Sequence, residues 1–277
     1  MKTIALPSGE RVPALGQGTW NMGDRAATRA EELIALRMGL DHGLTLIDTA
    51  EMYGDGRSET LVGEAITGRR DEVFLVSKVL PGNATRRGTI AACEHSLARL
   101  ATDRIDLYLL HWRGNAPFAE TLEALTKLQA DGKIRHYGVS NLDLADMQEL
   151  IALKDGKGVA ASQLLYNLSR RGIEWDLLPW LRAKRIPVMA YSPLEQGRLV
   201  KHRGLVSFAA THGMTPTQAA LAWLLAQDDV IVIPKCGNAA RMTENFGAIE
   251  ISLTPRQLAE LDAIFPPPAG PRALEML

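Results

Sequence analysis

Short apolar segments alternate with amphipathic segments along almost the whole chain, and this alternation restricts the fold more than any other feature. Several of the apolar segments are apolar at nearly every position, which is typical of parallel strands covered on both faces. The segments between them have helical spacing. The eight apolar segments cover residues 13–19, 44–49, 73–78, 105–112, 135–141, 159–166, 187–192 and 230–235.

The intervening segments carry clear signals for where helices begin and end. The segment 25–43 ends on Gly43, a residue type that often terminates helices. Two later helices should begin at "TPTQ" (215–218) and "TPRQ" (254–257), which each place a threonine at the cap, proline in the first turn and glutamine three residues on. The chain therefore alternates strands with true helices.

Eight strands that alternate with helices predict an α/β fold of the (β/α)8 TIM-barrel type. A doubly wound sheet is the alternative, but the GxGxxG turn that usually follows its first strand is missing. We expect one domain over residues 1–277, with an N-terminal β-hairpin over residues 1–16 that plugs the barrel floor and an extra C-terminal helix. The length and the 46% hydrophobic content suit one such barrel.

Charge and cysteine content exclude several classes of partner. Lys and Arg number 31 against 32 Asp and Glu, so no basic field would attract nucleic acid or a membrane surface. The two cysteines, Cys93 and Cys236, show no metal-ligand spacing, and we predict no metal site. Without a signal-like N-terminus or a long apolar run, we predict a cytoplasmic protein. Nothing in the sequence demands more than a monomer.

Polar side chains stand at the C-terminal ends of three consecutive predicted strands. Asp48 lies near the end of the second strand, and Tyr53 lies in the loop after it. Lys78 closes the third strand and His111 the fourth. Each residue alone has a structural explanation, such as a helix cap, a solvated lysine or a core histidine. Because catalytic side chains of TIM barrels come from this end of the strands, their convergence predicts an active site.

The four residue types form a coherent set for proton donation. A free phenol is a weak acid at neutral pH, and a nearby ammonium should lower its pKa. Asp48 can pair with the buried Lys78, and Lys78 can then act on Tyr53. We therefore expect Tyr53 to protonate a carbonyl oxygen as hydride reaches the carbon, while His111 orients that oxygen.

At this point the chain resembles the aldo-keto reductases, and the resemblance covers essentially its whole length. The four residues match the catalytic tetrad of that family in type, order and spacing. The segments "GLTLIDTAEMYGDGRSETLVGEAI", "GKIRHYGVSN" and "IPKCGNAARMTEN" are similar to its motifs. "VPALGQGTW" and "EWDLLPW" are similar to segments of the bacterial branch that reduces methylglyoxal and other small aldehydes.

The resemblance also implies an NADP(H) site. Ser140, Asn141 and Gln163 would bind the nicotinamide carboxamide, and Tyr191 would stack on the nicotinamide ring. Ser192 and Leu194 would contact the pyrophosphate. The adenosine end would be held by Lys235, Arg241, Glu244 and Asn245.

Lys235 and Arg241 flank the start of a predicted helix, where N–H groups already favour an anion. This favours the 2′-phosphate of NADP(H) over NAD(H). Cys236 departs from the family, which often has Ser or Thr there, and a thiol is the weaker phosphate partner.

The resemblance places Trp20 and Trp112 in the substrate pocket, and small carbonyl compounds are the expected substrates. Two rival functions remain open at this point. One is a Schiff-base aldolase or lyase that uses Lys78 as nucleophile. The other is a barrel that binds NADPH as a sensor without catalysis. The motif at 234–245 argues against the first, and an intact tetrad argues against the second.

Overall fold

The computed structural model describes residues 1–277 and begins with a short antiparallel hairpin. Strands β1 (Thr3–Ala5) and β2 (Arg11–Pro13) pair with Ile4 opposite Val12. The chain turns at Gly9, whose φ of 88° favours glycine. Ile4 and Val12 pack with the apolar side chains that line the bottom of the barrel, so the hairpin closes the barrel floor as predicted.

Eight parallel strands follow and form a closed ring, which confirms the predicted barrel. Each strand pairs with the next along the chain. Gly18 donates to the carbonyl of Pro234 at 2.9 Å, and a parallel bridge joins Leu15 to Val232, so the first and last strands close the ring. The strands are β3 (Gln17–Gly18), β4 (Leu46–Asp48), β5 (Phe74–Val79), β6 (Ile105–Leu110), β7 (Ile134–Ser140), β8 (Val159–Leu165), β9 (Val188–Tyr191) and β10 (Val230–Val232).

Ten helices surround the ring, and two of them are additions to the eight β/α units. The two capping boxes predicted at Thr215 and Thr254 are both present, and the first helix ends just before Gly43. No helix combines the length and apolar character needed to cross a membrane. The helices are α1 (Ala26–Asp41), α2 (Arg57–Ala65), α3 (Arg86–Leu100), α4 (Phe118–Ala130), α5 (Leu144–Ala152), α6 (Leu177–Ala183), α7 (Arg203–Thr211), α8 (Pro216–Ala226), α9 (Ala239–Gly247) and α10 (Pro255–Ile264). The additions are α7 and α10, the latter being the predicted C-terminal helix.

Side-chain alternation along the strands separates two apolar layers and positions the polar site. One layer lies between the strands and helices, and the other fills the barrel interior. Leu46, Val76 and Ala161 belong to the interior layer. Two residues further along the same strands stand Asp48, Lys78 and Gln163. Because successive side chains point to opposite faces, these polar residues face the lumen at its C-terminal end.

Candidate active site

Lys78 lies completely buried, and all three of its donors are used. Nζ donates to Asp48 Oδ2 at 2.8 Å, to the Thr49 carbonyl at 2.9 Å and to Tyr53 OH at 3.1 Å. Burial opposes the charged form, but the charge of Asp48 and the hydrogen bonds to Asp48 and Tyr53 outweigh it and raise the pKa of Lys78 above its ordinary value. Lys78 is therefore a fixed cation that faces the phenol.

Tyr53 comes from the loop between β4 and α2 and is only 8% exposed. Burial raises the pKa of its phenol, although the Lys78 ammonium acts in the opposite direction. The sequence-based expectation of a lowered pKa is therefore wrong for the net shift, because desolvation outweighs the cation. The phenol is protonated at neutral pH, and Lys78 can stabilise the phenolate that remains after proton transfer.

His111 and two tryptophans lie beside Tyr53. The His111 ring centroid is 5.9 Å from that of Tyr53, Trp20 packs edge-on to Tyr53 at 5.0 Å, and Trp112 lies 4.8 Å from His111. Burial, reinforced by the charge of Lys78, lowers the pKa of His111 to about 3, so the ring is neutral. Trp20 is 43% exposed and marks the outer edge of the site.

The structure places Gln163 in contact with Asp48. Its Nε2 donates to Asp48 Oδ1 at 2.8 Å. The two carboxylate oxygens of Asp48 therefore have different partners, Gln163 and Lys78. The sequence predicted Gln163 as a cofactor residue and gave no sign of this contact.

Ser140, Asn141 and Tyr191 form a connected group at the ends of β7 and β9. Asn141 has a φ of 55°, and its Nδ2 donates to the His111 carbonyl and to Ser140 Oγ, both at 3.1 Å. Tyr191 OH donates to Asn141 Oδ1 at 2.9 Å. Asn141 is therefore held from three sides next to His111, where the sequence predicted a carboxamide-binding residue.

Ser192 and Leu194 begin a tightly wound loop after β9. Ser192, Glu195 and Gln196 all have positive φ, which is uncommon for residues other than glycine. Asn167 stabilises the loop by donating to the Ser192 carbonyl at 2.9 Å and to Glu195 Oε2 at 2.8 Å. The predicted pyrophosphate residues thus stand on a segment that Asn167 holds by hydrogen bonds.

The C-terminal tail reaches this region and lies against its edge. Glu275 pairs with Arg170, which also binds Glu195, and the Leu277 N–H lies 3.4 Å from Tyr191 OH. The tail is therefore connected to both the loop after β9 and the predicted nicotinamide residues.

The remaining predicted cofactor residues lie just before α9 and along it. Lys235 and Arg241 are exposed and have no ion-pair partner within the chain. Lys235 Nζ lies 3.0 Å from where a Cβ on residue 237 would stand, so the lysine side chain folds back over Gly237. The predicted residues of this segment are Lys235, Cys236, Arg241, Glu244 and Asn245. Two free cations beside a helix N-terminus suit a phosphate group.

Cys236 takes no part in that exposed surface. Its thiol is 2% exposed and donates to the carbonyl of Asn238 at 3.1 Å. Asn238 in turn caps α9 by accepting from the Arg241 N–H at 2.9 Å. The thiol therefore supports the turn that leads into the helix.

Two features of the site lay outside the sequence-based predictions. The Thr49 carbonyl binds Lys78, but a backbone acceptor has no residue-type signal. Thr49, Ser58 and Thr19 also form a buried hydroxyl network, in which Ser58 Oγ lies 3.2 Å from Thr49 Oγ1 and 2.8 Å from Thr19 Oγ1. The only available signal was the position of Ser58 inside the same motif as Asp48 and Tyr53.

Comparisons with known proteins agree with this geometry. A family model described as the aldo/keto reductase family matches residues 14–265. Methylglyoxal reductase YeaE of Escherichia coli K12 is 51% identical, covering 100% of this chain and 99% of that protein. Glyoxal reductase of Bacillus subtilis 168 is 33% identical over 95% of this chain and 92% of its own length.

A solved structure has the same fold over its full length. It is the crystal structure of an aldo/keto reductase from Klebsiella pneumoniae in complex with NADP and acetate. It matches with a TM-score of 0.97 and 50% identity, covering 100% of this chain and 99% of that one. The family model and the full-length relatives confirm the resemblance found in the sequence, and the chain belongs to the aldo/keto reductase family.

Proposed function

We propose that the protein is an NADPH-dependent reductase that converts small aldehydes and ketones, such as methylglyoxal, to alcohols. The observation that carries this proposal is the buried contact between Lys78 and Tyr53, beside which His111 and the partly exposed Trp20 pack. Membership of the aldo/keto reductase family and the reductases named among its relatives support the same reaction.

The residues present fit NADP(H). The unpaired cations Lys235 and Arg241 would bind the 2′-phosphate at the start of α9. Asn141 and Gln163 would bind the carboxamide, and Tyr191 would stack on the nicotinamide. When bound, NADPH would supply hydride to the carbonyl carbon.

The proton would come from Tyr53. Its phenol is protonated at neutral pH, and burial raises its pKa further, so it can donate to the carbonyl oxygen. The Lys78 ammonium would then stabilise the phenolate, while Asp48 keeps Lys78 in place. The neutral His111 ring would orient the carbonyl oxygen by a hydrogen bond.

The ion pairs beside Trp112 favour uncharged substrates over carboxylates. Arg113 follows Trp112, but both Asp146 and Glu149 pair with it, the latter at 2.7 Å. These carboxylates satisfy the one cation next to Trp112, so it would offer little attraction to a substrate carboxylate. Trp20 and Trp112 would contact a neutral carbonyl compound instead.

A Schiff-base mechanism is the weaker alternative. Its nucleophile would be a neutral amine, whereas the pKa of Lys78 is raised and its three donors are engaged. A sensor without catalysis would have no need for the Lys78–Tyr53 contact.

We further propose that the protein is a monomer and that it is cytoplasmic. Its two free cysteines suit the reducing cytoplasm.

A carbonyl panel with the purified protein tests the proposal. Methylglyoxal, glyoxal and neutral aromatic aldehydes should cause loss of NADPH absorbance, while pyruvate and other keto acids should react poorly. Borohydride trapping of a substrate on Lys78 without any NADPH oxidation would contradict the proposal. Size-exclusion chromatography on the same sample tests the monomer.

A further inference from the structure

Gln163 and Asp48 make a hydrogen bond across the whole barrel lumen. Gln163 stands on β8 and Asp48 on β4, and these strands are four positions apart in the ring of eight. Both residues are 2% exposed, and the distance from Nε2 to Oδ1 is 2.8 Å. The contact therefore joins opposite walls of the barrel and shares Asp48 with Lys78.

The charge of Asp48 fixes which way the Gln163 amide points. A carboxylate paired with an ammonium only accepts hydrogen bonds, so the NH2 group of Gln163 must face Asp48. The amide oxygen then points away from Asp48, and it has no hydrogen-bond partner within the chain. This oxygen can accept from a donor such as the NH2 of a carboxamide.

We propose that Gln163 is a positioning residue for Asp48, in addition to its proposed contact with the nicotinamide carboxamide. This inference rests on the proposed function. Gln163 occupies Asp48 Oδ1, so Oδ2 stays directed at Lys78 and Lys78 stays within reach of Tyr53. The Gln163 amide would thus contact the nicotinamide carboxamide through its oxygen. Through its NH2 group it contacts Asp48, which pairs with Lys78.

Without Gln163, one oxygen of a buried carboxylate loses its partner. The cost of an unsatisfied buried charged group favours rotation of the carboxylate or entry of water. Either change weakens the contact between Asp48 and Lys78. The inference therefore predicts an effect on the chemical step when the cofactor is saturating.

Two substitutions separate positioning from cofactor binding. Gln163→Met keeps a similar side-chain volume but removes both the hydrogen bond to Asp48 and the proposed hydrogen bond to the carboxamide. Gln163→Glu keeps an oxygen for the carboxamide but places a second carboxyl group against Asp48. Ser162→Ala is the matched control, because Ser162 is the neighbour on the opposite face of β8 and its buried Oγ has no partner.

Thermal unfolding of the cofactor-free proteins measures the contact directly. Two carboxyl groups at hydrogen-bond distance share a proton, so the folded-state pKa of one is raised above its unfolded value. The stability of Gln163→Glu should therefore match the wild type best near pH 5 and fall behind it as pH rises to 8. Ser162→Ala should follow the wild type throughout.

Steady-state kinetics at saturating NADPH complete the test. We expect kcat of Gln163→Met to fall about tenfold, and kcat of Gln163→Glu to fall by a similar factor as pH rises from 5 to 8. Wild-type kcat and unfolding profiles in both variants, with only the NADPH dissociation constant changed, would overturn the inference. Absence of NADPH turnover in the wild type would instead overturn the proposed function, and the unfolding series would still decide the Asp48 contact.

Discussion

Lys78 Nζ lies 3.1 Å from Tyr53 OH, and both groups are buried. Burial raises the pKa of the phenol by destabilising the phenolate, and the ammonium opposes that rise by stabilising the same phenolate. The net shift leaves Tyr53 protonated before reaction. The cation limits the cost of the phenolate that forms when the proton leaves, so the contact suits an acid that must be restored in each turnover.

Tyr53→Phe should remove the proton donor and leave the site otherwise intact. We expect kcat for methylglyoxal to fall roughly 10²- to 10⁴-fold, the usual contribution of general acid catalysis. NADPH binding, followed by fluorescence titration, should change little because Tyr53 contacts no residue of the predicted phosphate site. Activity close to that of the wild type would exclude Tyr53 as the acid.

Lys78→Met should destabilise the protein because it leaves Asp48 charged, buried and without its cation. Breaking a buried pair in this way costs roughly 3–5 kcal/mol, which urea unfolding would measure. The double variant Asp48→Asn with Lys78→Met removes the unpaired charge and should recover part of that loss. If the double variant were the less stable of the two, the buried charge would not explain the effect.

The fold could be predicted from the sequence because its signals are local. Strand positions followed from apolar runs, and the helix starts at Thr215 and Thr254 followed from cap chemistry within four residues. The convergence of Asp48 and Lys78 on one rim followed from their places at the C-terminal ends of consecutive strands.

The site was only partly predictable, because its missing contacts are not local. Gln163 meets Asp48 across 115 residues of chain, and Lys78 binds the backbone of Thr49. The net pKa shift of Tyr53 depends on how deeply the loop buries it, which residue types do not encode.

The lowered pKa of His111 should make the stability of the folded protein sensitive to acid, although the ring stays neutral near pH 7. Its pKa is about 3 in the folded protein, because of burial and the nearby Lys78, and near 6.5 when unfolded. The unfolded chain therefore binds a proton first as pH falls. The free energy of unfolding therefore has its full value, as far as His111 is concerned, above pH 6.5. It is reduced by about 2 kcal/mol at pH 5 and continues to fall toward pH 3.

Urea unfolding from pH 7.5 to 4.5 checks this dependence. His111→Asn should lose less stability over that range than the wild type. His95→Asn, which changes an exposed histidine on α3, should behave like the wild type. Equal acid sensitivity in all three proteins would contradict the lowered pKa of His111.

Arg241→Ala should weaken NADPH much more than NADH. Arg241 is exposed in the first turn of α9 and has no ion-pair partner within the chain, and Lys235 lies in the segment just before that helix. A hydrogen-bonded charge pair with phosphate contributes about 1.5–3 kcal/mol, so KM for NADPH should rise roughly tenfold or more. KM for NADH should change little, because NADH lacks the 2′-phosphate.

Arg256→Ala on α10 is the control, since that arginine is 89% exposed and pairs only with Glu260. Equal changes in KM for both cofactors would show that Arg241 acts on a part of the nucleotide that NADH shares.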